Sequence, residues 1–140
     1  MEGWAHVVGL DGSSRAEAVL ESLLPLARLL GATLHLLHVG DSESNAAIRG
    51  YLKKVALRCS SLGVPVTTAV RAGPASPGIL RYAADVRAGI VALATHGRTG
   101  LERLLLGSVA EQVLRNGTCP VLLRRTVEES ATMVPGLAGL

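Results

Sequence analysis

The densest chemistry in the chain lies between Ala94 and Val109, which reads Ala-Thr-His-Gly-Arg-Thr-Gly-Leu-Glu-Arg-Leu-Leu-Leu-Gly-Ser-Val. An apolar run precedes it and helical spacing follows it. The stretch therefore reads as a loop that leaves a strand end and closes on a helix N-terminus. Its glycines let a ligand approach the backbone closely. Gly107-Ser108 turns free N–H groups and the positive end of a helix toward any anion present. A triphosphate suits such a place. The spacing is not that of a P-loop, because no Gly-Lys-Ser/Thr occurs, and Gly97, Gly100 and Gly107 do not fit the dinucleotide pattern GxGxxG. The second place is Asp11-Gly12-Ser13, a turn after the first apolar run. Asp11 can cap the next helix, close an Asx-turn or face a ligand, and its place at a strand end favours the ligand.

Other reactive side chains are less suggestive. His96 reads as a structural or hydrogen-bonding residue, since no nucleophile or carboxylate stands beside it in the sequence. Arg98 and Arg103 read as solvated arginines, with phosphate oxygens as the alternative. His35 and His38 share a strand but lack further ligands at metal-site spacing, so no metal site is predicted. Cys59 falls at a core position of a helix. No catalytic residue is predicted, so a binding module is favoured over an enzyme.

The elements that must position these loops alternate along the chain. Residues 5–10, 32–39, 64–70, 89–93 and 119–124 read as strands, apolar throughout or rich in β-branched types. Four helical runs lie between them. In the first, Ser14 and Glu17 have capping-box spacing, Pro25 is expected to bend the helix, and Gly31 ends it. The second carries Ile48, Leu52, Val55, Cys59 and Leu62. The third carries Ile79, Ala83 and Val86 after a Ser76-Pro77 start. The fourth opens on a second capping box, Ser108 and Glu111. This alternation predicts an α/β fold: an open five-stranded parallel sheet with helices on both faces. Ligands of such sheets sit beyond the carboxyl ends of the strands, where the winding reverses. If strands one and four are neighbours, Asp11 and the Ala94–Val109 stretch face one crevice.

The chain has 140 residues, 49% of them apolar, enough for one core without disulfides or metals. Residues 126–140 follow as a loose tail. Aromatic residues make up only 2%, against the stacking surfaces that single-stranded nucleic acid needs. A net charge of +3 is too small for a sequence-independent grip on DNA. No nucleic-acid partner is expected. No apolar run reaches the roughly 18 residues of a membrane span, and no basic-then-apolar leader is visible. Two cysteines without a motif suit a reducing cytosol, so a cytoplasmic protein is expected.

The Ala94–Val109 stretch resembles the signature of the universal stress protein family, Gly-x2-Gly-x9-Gly-Ser/Thr, here Ala94-x2-Gly97-x9-Gly107-Ser108. The flanking ATHGRTGLERLLLGSVAEQVL and CPVLL, the N-terminal VVGLDGS and the strand ATLHLLHV are also similar to family members. The resemblance covers residues 5–125. It implies a Rossmann-like sheet of strand order 3-2-1-4-5 that binds ATP between strands one and four. Carried over by motif, Asp11 would face the adenosine part, and Val39 would meet the adenine through its backbone. Leu93 and Ala94 would lead into the phosphate loop, and Gly97, Gly107, Ser108 and Val109 would contact phosphate. Gly9, beside Asp11, stands where many members have Pro. Ala94 replaces the first signature glycine; its methyl is harmless at negative φ and costs about 1 kcal/mol at positive φ.

The resemblance thus implies a homodimeric, ATP-binding stress-response or regulatory module, with Mg held by the phosphates rather than by an acidic cluster. Two alternatives stand beside it, a slow ATPase or phosphotransferase and a dimeric scaffold that binds no nucleotide. The dimer is expected through strand five. Val121, Leu122 and Leu123 lie at the sheet edge in the order 3-2-1-4-5, where free N–H and C=O groups invite pairing. A twofold contact closes after two subunits.

Overall fold

The computed structural model describes residues 4–97 and 107–127. The chain runs β1 (Ala5–Gly9), α1 (Ala18–Leu30), β2 (Thr33–Gly40), α2 (Ala46–Ser61), β3 (Val66–Ala72), α3 (Ala75–Asp85), β4 (Ile90–Gly97), α4 (Ser108–Asn116) and β5 (Val121–Val127). All strand pairs are parallel, in the order β3-β2-β1-β4-β5. β1 is therefore flanked by β2 and β4, and the winding reverses beside it, in the order that the family resemblance implies. Thr126 and Val127 continue β5 into what reads as tail; residues 128–140 lie outside the described residues.

Alternate residues of each strand serve opposite faces. Val8, Leu34, Leu36 and Ala92 face α1 and α2, packing with Val19, Leu23, Leu52, Val55 and Cys59. Val7, Leu37, Val91 and Leu93 face α3 and α4, packing with Ile79, Tyr82, Ala83, Ala110 and Val113. Cys59 is core, as its spacing predicts, and burial pushes its thiol pKa up. α1 runs through Pro25 and ends at Gly31, whose φ of 63° closes the helix in a left-handed turn.

Both predicted capping boxes are absent. α1 begins at Ala18 with Glu17 as N-cap and no side-chain cap bond. The hydroxyl of Ser13, not Ser14, accepts from the N–H of Ala16 at 3.2 Å. The Glu17 carboxylate is used across the layer instead, accepting from the Tyr51 hydroxyl at 2.9 Å and pairing with Arg58. In α4 the N-cap is Gly107, not Ser108, and Glu111 pairs with Arg115 one turn on at 2.7 Å. β4 also extends beyond Leu93. Its pairing with β5 carries Ala94 to Gly97 into the sheet, Ala94 opposite Arg124 and Gly97 opposite Val127.

Candidate functional site

The turn after β1 is built on Asp11. Its Oδ1 accepts from the Ser13 N–H at 2.9 Å and from the Ser13 hydroxyl at 2.6 Å, an Asx-turn that Gly12 completes with φ of 93°. Burial pushes the Asp11 carboxyl pKa up, but the two hydrogen bonds from Ser13 outweigh it and hold the group below its ordinary value. Asp11 is thus a carboxylate at neutral pH. Only Oδ1 is used in the turn. Closing an Asx-turn and facing a ligand are compatible here.

Opposite Asp11, β4 and α4 supply the other wall. Ala94 lies within β4, and among the described residues Arg87 is the one non-glycine with positive φ. The methyl at the first signature position therefore carries no backbone penalty. Gly107 has φ of −63° and ψ of 159°, and a Cβ built on it meets nothing within 4 Å. It is not required for its conformation, and among the described residues no atom lies where its side chain would be. The Glu111 N–H bonds to the Gly107 carbonyl at 2.9 Å. The N–H groups of Ser108, Val109 and Ala110 precede that first intrahelical bond and face outward at the positive end of α4.

Between these walls lies a cleft of about 160 Å³ at the carboxyl ends of β1, β2 and β4. Gly9, Asp11, Val39, Leu93, Ala94 and Val109, all named from the family resemblance, are among the residues that line it. Gly107 and Ser108 stand beside it at the start of α4, and Gly97 closes β4. Arg98, Arg103 and the rest of 98–106 lie outside the described residues. The structure adds Leu10, Ala16, Leu37, Ala75, Ile79 and Ala110 to the lining. These missed residues read as ordinary core positions of their elements, and nothing in their spacing marks them. Gly9 turns out to matter: a Cβ there would stand 2.6 Å from Leu93 Cδ2. Gly78 likewise makes room for Val39, whose Cγ1 would lie 2.6 Å from a Cβ.

Among the described residues no group of three His, Cys, Asp or Glu could hold a metal, and no helix is long and apolar enough to cross a membrane.

The family model of the universal stress proteins matches residues 6–125, nearly the whole described chain. The chain belongs to the universal stress protein family. Residues of a universal stress protein from Methanocaldococcus jannaschii are 43% identical over 72 positions, 51% of this chain and 42% of that one. The chain thus spans less than half of that relative's length. Among solved structures, the universal stress protein of Archaeoglobus fulgidus in complex with dAMP superposes with a TM-score of 0.71 at 23% identity, covering 88% of this chain and 98% of that one. A universal stress family protein from Arabidopsis thaliana with AMP bound superposes at 0.68 and 18% identity, covering 96% and 98%. These likenesses establish the shared fold. The two solved universal stress proteins bind adenine nucleotides.

Proposed function

We propose that this member of the family binds an adenine nucleotide in the β1–β4 cleft, with the adenosine against Asp11, Val39 and Leu93 and the phosphates at the start of α4. The cleft itself carries this reading. At about 160 Å³ it is smaller than the ~300–1,000 Å³ that enclose a whole small ligand. Its lining is mostly apolar, so it suits a base and part of a sugar rather than a phosphate chain. Phosphates leaving it would reach Gly107 and the N–H groups of Ser108 and Val109, which precede the first intrahelical bond of α4. Gly97 would border the same path. The Asp11 carboxylate suits a sugar hydroxyl or a base N–H, since an ionised carboxylate only accepts.

ATP is the nucleotide proposed, its Mg held by phosphate oxygens. That fits the described residues, which offer no acidic cluster for the ion. The reading is of a binder rather than an ATPase: Asp11 is the one ionisable side chain among the described residues that line the cleft, and it is assigned to the adenosine end, away from the phosphates. Isothermal titration with AMP and with Mg-ATP tests it. Saturable binding of one nucleotide per chain, tighter for Mg-ATP than for AMP, is expected. Heats of dilution alone for both would overturn the reading.

A homodimer through β5 is the second part of the proposal. β5 pairs with β4 on one side, and Val121, Leu122 and Leu123 remain only partly buried. Among the described residues no strand pairs with its other edge, and that edge with these side chains is what a second copy would cover. Light scattering distinguishes the outcomes: a mass near 14.5 kDa refutes the dimer.

A further inference from the structure

The carbonyl of Leu10 is where β1 leaves the sheet. The Leu10 N–H still donates to the Leu37 carbonyl at 2.8 Å, the last rung between β1 and β2. The Leu10 carbonyl has instead been taken by a side chain, His38, whose Nδ1 lies 2.8 Å away. A carbonyl cannot donate, so Nδ1 must carry the proton and the neutral ring leaves Nε2 bare. The ring is held from its other side as well. A Cβ at Gly40 would stand 2.6 Å from His38 Nε2, so the imidazole lies down over a residue that has no side chain.

This clamp acts on the cleft through the backbone. The Leu10 carbonyl and the Asp11 nitrogen belong to one rigid peptide plane. Holding the oxygen fixes the plane from which the Asp11 Cα departs. The Asx-turn to Ser13 then fixes the carboxylate from the other side, through Oδ1 alone. Together the two contacts restrict the orientation of the carboxylate of Asp11, a residue that lines the cleft.

We propose that His38 is a positioning residue of this site: by clamping the Leu10 carbonyl it holds the Asp11 carboxylate toward the cleft. The consequence for affinity rests on the nucleotide reading above; the effect on the Asp11 turn does not.

Three variants of the full chain test it: His38→Leu, which removes the donor; His38→Asn, whose amide can put an N–H where Nδ1 stood; and Gly40→Ala, which pushes the ring off without touching it chemically. Two readouts are taken on each, AMP affinity by calorimetry and the ¹H–¹⁵N position of the Ser13 amide, which reports the Asp11 turn. His38→Leu and Gly40→Ala are expected to weaken AMP about threefold to tenfold, the worth of one hydrogen bond. Both are expected to shift the Ser13 amide. His38→Asn should restore both to near the wild-type values. A Ser13 amide unmoved in His38→Leu overturns the proposal, as does His38→Asn behaving like His38→Leu. If His38→Leu does not fold, Gly40→Ala decides alone by the same criteria. A wild-type chain that ignores both AMP and Mg-ATP while its Ser13 amide still responds to His38 refutes the nucleotide reading and leaves the clamp standing.

Discussion

The layer of α1 and α2 meets the sheet through large side chains: Leu23 and Leu52 are fully buried against Leu34 and Leu36. The layer of α3 and α4 meets it through smaller ones near the carboxyl end of the strands, with Ala75 and Ala110 beside Gly9 and Gly78. The first layer fills its space, and the cleft opens on the second. Polar groups follow the same division. On the α3–α4 side, Ser76 bonds Gln112, and His35 Nδ1 lies 2.8 Å from the Tyr82 hydroxyl. On the α1–α2 side, His6 is fully buried and neither ring nitrogen has a partner among the described residues. One layer is therefore built chiefly for stability and the other for an opening. Substitutions in the two should separate stability from affinity.

The largest effect expected is on the filled layer. Leu23→Ala leaves a hole among fully buried neighbours and should cost about 2–5 kcal/mol in denaturant unfolding. Nucleotide affinity of the remaining folded protein should not change. A loss well under 1 kcal/mol would mean that the layer collapses around the gap, and that it is less rigid than its burial implies.

The next effect reverses the readouts. Gly107→Val places a branched side chain in the space before α4, at a φ and ψ that valine adopts freely and with no atom within 4 Å of its Cβ. Stability should be nearly unchanged, while nucleotide affinity should fall at least about 100-fold. Equal affinity for wild type and variant would remove the phosphates from the start of α4. Asp11→Ala belongs to the same region with a smaller effect. It removes the Asx-turn acceptor and the charge that faces the cleft, and should weaken binding by about 1–3 kcal/mol. A loss of thermal stability with no loss of affinity would leave Asp11 only its turn.

The comparison also explains what could be read in the chain before its structure. The parallel five-stranded sheet followed from alternation, because apolar strands and helical spacing are strong local signals; its order followed from the family resemblance. The filled layer was equally plain, since Val19, Leu23, Leu52, Val55 and Cys59 announce their face by period alone. What failed was decided by partners far away in sequence. Glu17 has the spacing of a cap, but Tyr51 and Arg58 from α2 take its carboxylate. Ala94 to Gly97 look like loop because they include a glycine and polar residues, yet β5 supplies ladder partners and draws them into β4. At the site, Asp11 and the signature glycines carry signals of their own, whereas Val39, Leu93 and Val109 are legible only through the family resemblance. Leu10, Leu37, Ile79 and Ala110 carry no signal, because a residue lining an apolar cleft and a residue lining a core have the same chemistry. The need for Gly9 lies in a partner far away in sequence: Leu93, 2.6 Å from where a Cβ would be.

The smallest expected effect compares the two layers directly, through one histidine of each. Burial lowers the pKa of both His6 and His35. The unfolded chain then takes up protons, near pH 6.5, that the folded chain refuses. By linkage, stability contributed by these neutral rings is complete above about pH 6.5 and declines as pH falls toward their folded values. The partners of the two rings differ, so the substitutions should differ in sign. His6→Leu replaces a ring whose nitrogens are both buried without hydrogen bonds, and should stabilise by about 1 kcal/mol at pH 8. The gain should grow at pH 5.5, because one of the two acid-sensitive groups is gone. His35→Leu leaves the buried Tyr82 hydroxyl without its partner, and should destabilise by about 1 kcal/mol at pH 8. Urea unfolding of both variants at the two pH values gives the answer. If His6→Leu is destabilising at pH 8 and its acid limb is as steep as that of the wild type, His6 has a partner in solution, and the contrast between the polar groups of the two layers fails.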